Sequence, residues 1–258
     1  MLGWSRGLVM ALLMGLIFPA GLRADPVIAA AANLQGALEQ IAVAYQRQTG
    51  ETVRISYGST GSLQRQIRQG APFEMLLAAD EVSVQALAAE DLARDEGVVF
   101  AVGRLALVVP KGGALAADGS LEDVRAALTA GRLGRFAIAN PEHAPYGMRA
   151  REALVHAGLW EDVQPHLVLG ENVAQAAQFA TTGNADGGLV ALSLALSPAV
   201  MALADHAVID ADWHAPLAQR MALMPSATAG AEAFFAFVQG AEAQAIFAAS
   251  GYGPAPRQ

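Results

Sequence analysis

Short apolar runs alternate along this chain with longer stretches whose apolar residues recur at helical spacing. That alternation is the pattern of a sheet with helices packed on its faces, and it leaves few other architectures open. Residues 27–31 read as a strand; Leu34, Leu38, Ile41 and Tyr45 then share a helical face until Gly50, and residues 53–57 read as the next strand. A tight loop over 58–62, a short helix over 63–69 closed by Gly70, and a strand over 75–78 follow. The order then restarts. Residues 105–109, 136–139, 167–168 and 189–191 read as strands, and 121–130, 148–157 and 173–181 as helices. A strand over 221–224 and helices over 229–239 and 242–249 complete the pattern, with Phe234, Phe235 and Phe237 as core residues. No low-complexity linker or solenoid-period repeat separates the units. The length allows one large α/β domain or two small ones; two domains would be joined by ordered strands and not by a flexible tether, with the cleft between them as the natural site.

Arg6 precedes an apolar run over 8–20, and Ala24 offers a small residue for cleavage before Asp25-Pro26. The run is short of the roughly 20 residues a bilayer helix needs. Residues 1–24 are therefore read as a signal peptide, and export to a periplasm as the destination. The alanine-rich segment 189–204 carries Ser193, Ser197 and Pro198 and reads as a buried soluble helix, not a membrane span. There is no cysteine, which rules out disulfides, thiolate metal sites and a lipidated cysteine anchor. Without the leader the chain keeps 14 basic against 24 acidic side chains, a net −10. Such a charge excludes a phosphate-backbone binder, so no nucleic acid partner is expected. Lys111 is the only lysine, so any mechanism built on one must place it there.

Four segments end a strand in small or polar residues and start a helix at once: Ala31-Ala32-Asn33-Leu34, Gly58-Ser59-Thr60-Gly61-Ser62, Ala144-Pro145-Tyr146-Gly147 and Gly170-Glu171-Asn172-Val173. Each leaves unpaired N–H groups at the positive end of a helix dipole, which suits an anion. Asn33, Ser59 and Thr60 add an amide and two hydroxyls, and each can equally cap its own helix.

Ala30-Ala31-Ala32-Asn33, Tyr57-Gly58-Ser59-Thr60-Gly61, Gly70-Ala71-Pro72-Phe73-Glu74, Ala78-Ala79-Asp80, Ile138-Ala139-Asn140-Pro141, Ala144-Pro145-Tyr146-Gly147 and Gly170-Glu171-Asn172-Val173-Ala174-Gln175 resemble, in order, motifs of the periplasmic molybdate-binding proteins of ABC transporters. The resemblance runs from about Val27 to Ser193 and more loosely to Tyr252. It implies the type II periplasmic-binding fold, with 25–104 plus 220–258 as one lobe and 105–219 as the other, closing on a tetrahedral oxyanion. Carried over by position, it implies donors at Asn33 (side-chain amide), Ala32 or Asn33 (N–H), Thr60 (hydroxyl and N–H), Tyr146 (N–H, its ring shaping the entrance) and Val173 (N–H). Ser59 and Gly61 are possible additional contacts. Members with serine in place of Asn33 often have tyrosine where this chain has Ala191, so that contact is missing here. The implied ligand is molybdate, and tungstate with it, molybdenum being bound only as its oxyanion; the implied partner is a membrane permease. A monomer without cofactor is expected.

The residue chemistry points the same way. Molybdate, tungstate and sulfate are deprotonated near neutral pH and only accept hydrogen bonds, whereas phosphate keeps a proton and wants an acceptor. None of the expected contact positions is acidic, and only Glu171, two residues from Val173, could turn a carboxylate into the cleft. A sulfate or phosphate receptor of the same fold is the nearest alternative. An exported hydrolase using the helix ends as an oxyanion hole is a further one, opposed by the lack of a base near Ser59 or of a Gly-x-Ser-x-Gly elbow. His143, His156, His166, His206 and His214 lie scattered without metal-ligand spacing, and Asp210 and Asp212 read as a solvated loop.

Overall fold

The computed structural model describes residues 24–255. The expected leader thus lies outside the described residues, apart from Ala24. The chain runs β1 (Val27–Ala31), α1 (Gln35–Thr49), β2 (Arg54–Gly58), α2 (Thr60–Arg68), β3 (Met75–Ala78), α3 (Val82–Ala89) and β4 (Val98–Gly103). It continues through β5 (Leu105–Pro110), α4 (Glu122–Thr129), β6 (Phe136–Ala139), α5 (Pro145–His156), α6 (Trp160–Val163), β7 (Leu167–Gly170), α7 (Val173–Thr181) and β8 (Gly187–Ala191). It ends with α8 (Leu192–Ala195), α9 (Pro198–Leu203), β9 (Ala204–Val208), β10 (Leu217–Leu223), α10 (Ala229–Val238) and α11 (Ala241–Ala249).

Two five-stranded sheets result, ordered β2-β1-β3-β10-β4 and β7-β6-β8-β5-β9. They share one plan. In the first, β1 pairs in parallel with β2 and β3, and β10 closes the set antiparallel to β3 and β4. In the second, β6 pairs in parallel with β7 and β8, and β5 runs antiparallel to β8 and β9. The carboxyl ends of the parallel strands, where open α/β sheets bind ligands, carry the corners that start the helices. The chain passes from the first sheet to the second between Gly103 and Leu105, with Arg104 alone in the gap, and returns over residues 209–216. It re-enters the first sheet at Leu217, three residues ahead of the lobe boundary drawn from the sequence.

The central strands are shielded on both faces, which is why they read as unbroken apolar runs: β3, β6 and β8 are buried at every position. On the first lobe α1 lies against α10 and α11, where Tyr45 meets Phe234 and Phe237 edge-on at 5.2 and 5.3 Å. Phe234 is fully buried there, whereas Phe235 and Phe237 pack only partly into the core.

Two helices start earlier than the apolar period suggests, because their first turns are set by caps. Ser59 Oγ accepts the Ser62 N–H at 3.3 Å and starts α2 at Thr60. Pro145, whose fixed φ suits a first helical position, starts α5. The expected helix over 189–204 is corrected. Its first residues form β8, buried between β5 and β6, and Pro198 with its cap Ser197 breaks the remainder into α8 and α9. Among the described residues no helix is long and apolar enough to cross a membrane. The apolar pattern of the sequence does not signal β4, α3 or β9.

Gly147 lets α5 approach the end of β6, since a Cβ there would collide with the carbonyl of Ala139 and come within 2.8 Å of the Asn140 carbonyl carbon. Gly147→Ala is expected to cost about 1–3 kcal/mol of stability by overpacking this corner, seen as a lower urea midpoint for the ligand-free protein. An unchanged midpoint would show that the corner yields freely.

Candidate anion-binding site

Where the strand-to-helix corners of the two lobes meet, eleven residues line a small cavity: Ala31, Ala32, Gly58, Ser59, Thr60 and Ala79 from the first lobe, Ala144, Pro145, Tyr146, Asn172 and Val173 from the second. The room is about 10 Å³, space for the centre of one water-sized sphere. No charged side chain is on the wall. What the wall offers is the starts of three helices, α2 at Thr60, α5 at Pro145 and α7 at Val173, each carrying about half a positive charge at its N-terminus.

The N–H groups of Thr60, Tyr146 and Val173 lie in first turns, where no earlier carbonyl can receive them, and among the described residues they make no hydrogen bond to protein. The other first-turn donors are spoken for. Asn172 Oδ1 accepts from Ala174 and Gln175 at 3.0 and 3.1 Å, so α7 leaves the Val173 N–H to the cavity. Thr60 is fully buried, and its Oγ1 accepts the Ala79 N–H at 3.0 Å, which leaves the hydroxyl proton to donate.

Of the residues expected from the sequence, Ala32, Ser59, Thr60, Tyr146 and Val173 therefore meet around one cavity, and Asn33 and Gly61 do not. The Asn33 amide is turned away from it. Its Nδ2 donates to Gln219 Oε1 at 2.8 Å and to the Tyr252 hydroxyl at 2.9 Å. The Gln219 amide is oriented by the carbonyls of Ala79 and Leu217, which accept from its Nε2 at 3.3 and 3.2 Å, so its oxygen faces Asn33 and claims the donor. The Asn33 carbonyl in turn accepts from Ser193 Oγ at 2.9 Å and from the Tyr252 hydroxyl at 2.8 Å. Asn33 thus pins the corner after β1 from behind. Gly61 spends its N–H on His143 O at 2.9 Å, a contact across the cleft so close that a Cβ would sit 2.6 Å from the same oxygen.

The Tyr146 ring does not frame an entrance. It is buried, and its hydroxyl ends against Gly103 at the joint between the lobes, where any Cβ would strike it. Burial raises the pKa of both Tyr146 and Tyr252 far above the ordinary phenol value, so both stay neutral. Glu171 is also clear of the cavity: its carboxylate accepts the Ser62 hydroxyl at 3.1 Å and lies 3.7 Å from His143 Nε2. Asp80, just beyond Ala79, is buried and off the wall; desolvation raises its pKa, and hydrogen bonds from Ser83 partly offset the rise. Ala191 is buried and lies off the wall as well.

Sequence reasoning missed Gln219, Tyr252 and Ser193 behind the site and His143 beside it. His143 Nδ1 lies 3.0 Å from Ser59 Oγ, two residues 84 apart in the chain, and no periodicity signals such a pairing. Ala79, Asn172 and Ala144 were visible only as parts of corner motifs. Among the described residues no cluster of three or more His, Asp or Glu is arranged to hold a metal cation.

Two similarly wound α/β lobes, crossing twice and enclosing a cavity of neutral donors, define a two-lobed solute-binding protein. The chain belongs to the bacterial extracellular solute-binding protein family, whose model matches residues 26–253. It is 34% identical to the molybdate-binding protein ModA of Azotobacter vinelandii over 254 residues, covering 95% of this chain and 96% of that protein. It is 35% identical to the molybdate-binding protein ModA of Rhodobacter capsulatus over 247 residues, covering 94% and 93%. The solved structure of the Azotobacter vinelandii periplasmic molybdate-binding protein superposes with a TM-score of 0.79 at 32% identity, over 90% of this chain and all of that one.

Asn33→Ala would leave Gln219 Oε1 buried without its donor, a loss of about 1–3 kcal/mol. The ligand-free variant is therefore expected to unfold at lower urea than wild type. A purely ligand-contacting Asn33 would leave that midpoint unmoved and change affinity alone.

Proposed function

We propose that the protein is the periplasmic receptor of an ABC transporter, taking up molybdate, and tungstate with it, between its lobes and handing it to a membrane permease. The observation that carries this reading is the cavity wall: donors from both lobes, no carboxylate and no cationic side chain. A fully deprotonated tetrahedral oxyanion accepts at every oxygen, and such a wall answers it with donors alone. Phosphate, which keeps a proton, finds no carboxylate there. The names of the relatives supply the ligand. Binding is the whole chemistry: the anion rests on Thr60 and the neighbouring corner after β1, and closure brings the N–H groups of Tyr146 and Val173 against it. Contact with both lobes is what makes the closed state the ligand's preferred one. The leader over residues 1–24 would export the chain, which acts as a monomer.

One observation favours a second reading, hydrolysis with Ser59 as nucleophile: His143 lies beside Ser59, with Glu171 behind it. The geometry serves that chemistry poorly. Ser59 Oγ is engaged as the cap of α2, where it accepts the Ser62 N–H at 3.3 Å. A screen with small ester substrates, compared with Ser59→Ala, separates the two readings; turnover lost in the variant would favour hydrolysis.

Thermal unfolding of the mature, ligand-stripped protein with molybdate, tungstate, sulfate and phosphate tests the receptor. At about a thousandfold over the dissociation constant a native-state ligand adds roughly 4 kcal/mol, or on the order of 8–16 °C for a chain of this size. Shifts of that order are expected with molybdate and tungstate and not with phosphate. Thr60→Ala is expected to weaken binding by about 1.5–3 kcal/mol, the worth of a hydrogen bond to a charged group. Wild-type affinity in calorimetry would remove Thr60 from the site.

A further inference from the structure

The lips of the cleft carry a second set of contacts between the lobes that leaves the cavity wall untouched, apart from Ser59. On the second lobe His143 stands in the turn before α5, and Glu171 in the corner between β7 and α7. On the first, the start of α2 presents Ser59, Gly61, Ser62 and Arg65. The His143 carbonyl accepts the Gly61 N–H at 2.9 Å, and its Nδ1 lies 3.0 Å from Ser59 Oγ. Glu171 Oε1 accepts the Ser62 hydroxyl at 3.1 Å, while Oε2 lies 3.7 Å from His143 Nε2. Each side is braced from within its own lobe. Arg65 Nη2 donates to Ser62 Oγ at 2.8 Å, which leaves the serine proton for the carboxylate, and the Glu171 N–H donates to Gln175 Oε1 at 2.6 Å. The strap is dry on one side and wet on the other, the His143 side chain being 12% exposed and that of Glu171 62%.

We propose that His143 and Glu171 form an external latch that sets how slowly a bound oxyanion leaves, while the cavity donors set which anion is bound. The inference rests on the receptor reading above. The bonds between the lobes exist only when the lobes are shut, so they lower the free energy of the closed form without touching the anion. Capture proceeds through the open form, which lacks them. Their effect therefore falls on release and not on capture. The latch also accounts for a carboxylate placed two residues from the Val173 donor: shut, Glu171 is occupied by Ser62 and faces His143, and it is turned out of the cavity. Its exposed outer half can be reached by a partner settling on both lips, and competition for that carboxylate would undo the latch.

The test follows exchange of isotope-labelled molybdate, preloaded on the mature protein, against unlabelled molybdate. Glu171→Ala and His143→Ala are each expected to speed release about three- to tenfold, the worth of one net hydrogen bond, with the capture rate and the unfolding midpoint of the ligand-free protein unchanged. Ser62→Ala combined with Glu171→Ala is expected to release no faster than the quicker single variant, since both remove one bond. Release at the wild-type rate in both alanine variants, or full additivity of the Ser62 and Glu171 changes, would overturn the latch while the receptor reading stands. A wild-type protein that takes up no molybdate, tungstate or sulfate would overturn both.

Discussion

The receptor proposed above depends on holding an anion without spending charge on it. A cage of neutral donors has to come from the backbone, and the free N–H groups of a folded chain lie in the first turns of helices. Those turns reach a common point only if strands end and helices begin at the same corner, and only if the corner is narrow. Ala31, Ala32, Gly58, Ala79 and Ala144 supply that narrowness. Two sheets of one plan bring three such helix starts together, so sheet order, small residues at the corners and the uncharged wall are one arrangement.

Behind the cavity the same corner is secured by a polar network. Asn33, Gln219, Tyr252 and Ser193 come from the end of β1, from β10, from the C-terminal tail and from α8. Three of these elements belong to the first lobe, and Ser193 belongs to the second. Among the described residues Asn33 Oδ1 is buried there without a partner, so the network is only partly satisfied, and removing a further member is costly. It holds the peptide after β1 in a fixed orientation when the lobes meet.

Much of this was legible in the sequence, and the boundary of legibility is physical. The strands over 27–31, 75–78 and 136–139 and the helix over 173–181 stand where the apolar pattern puts them, residue for residue. The starts of α2 and α5 were read three residues late, because capping by Ser59 and the preset φ of Pro145 override the apolar period. The corners of the cavity were legible because a helix start after a strand is a local signal. The direction of the Asn33 amide was not: its partner Gln219 lies 186 residues further along the chain. The pairing of His143 with Ser59 failed to show for the same reason. Local chemistry predicts which groups can donate, and only the closed fold decides to whom.

Arg104 stands alone between β4 and β5, an edge strand of one sheet and the first strand laid into the other. With one residue of slack there and a second crossing over residues 209–216, the chain itself keeps the two lobes close together. Two halves linked by a long tether would have to find each other again at every closure, and the ligand would have to offset that lost freedom. Here nearly all of it is removed when the chain folds. For the receptor proposed above this shortens the search for the closed form, so that a few hydrogen bonds to a single small ion can decide it.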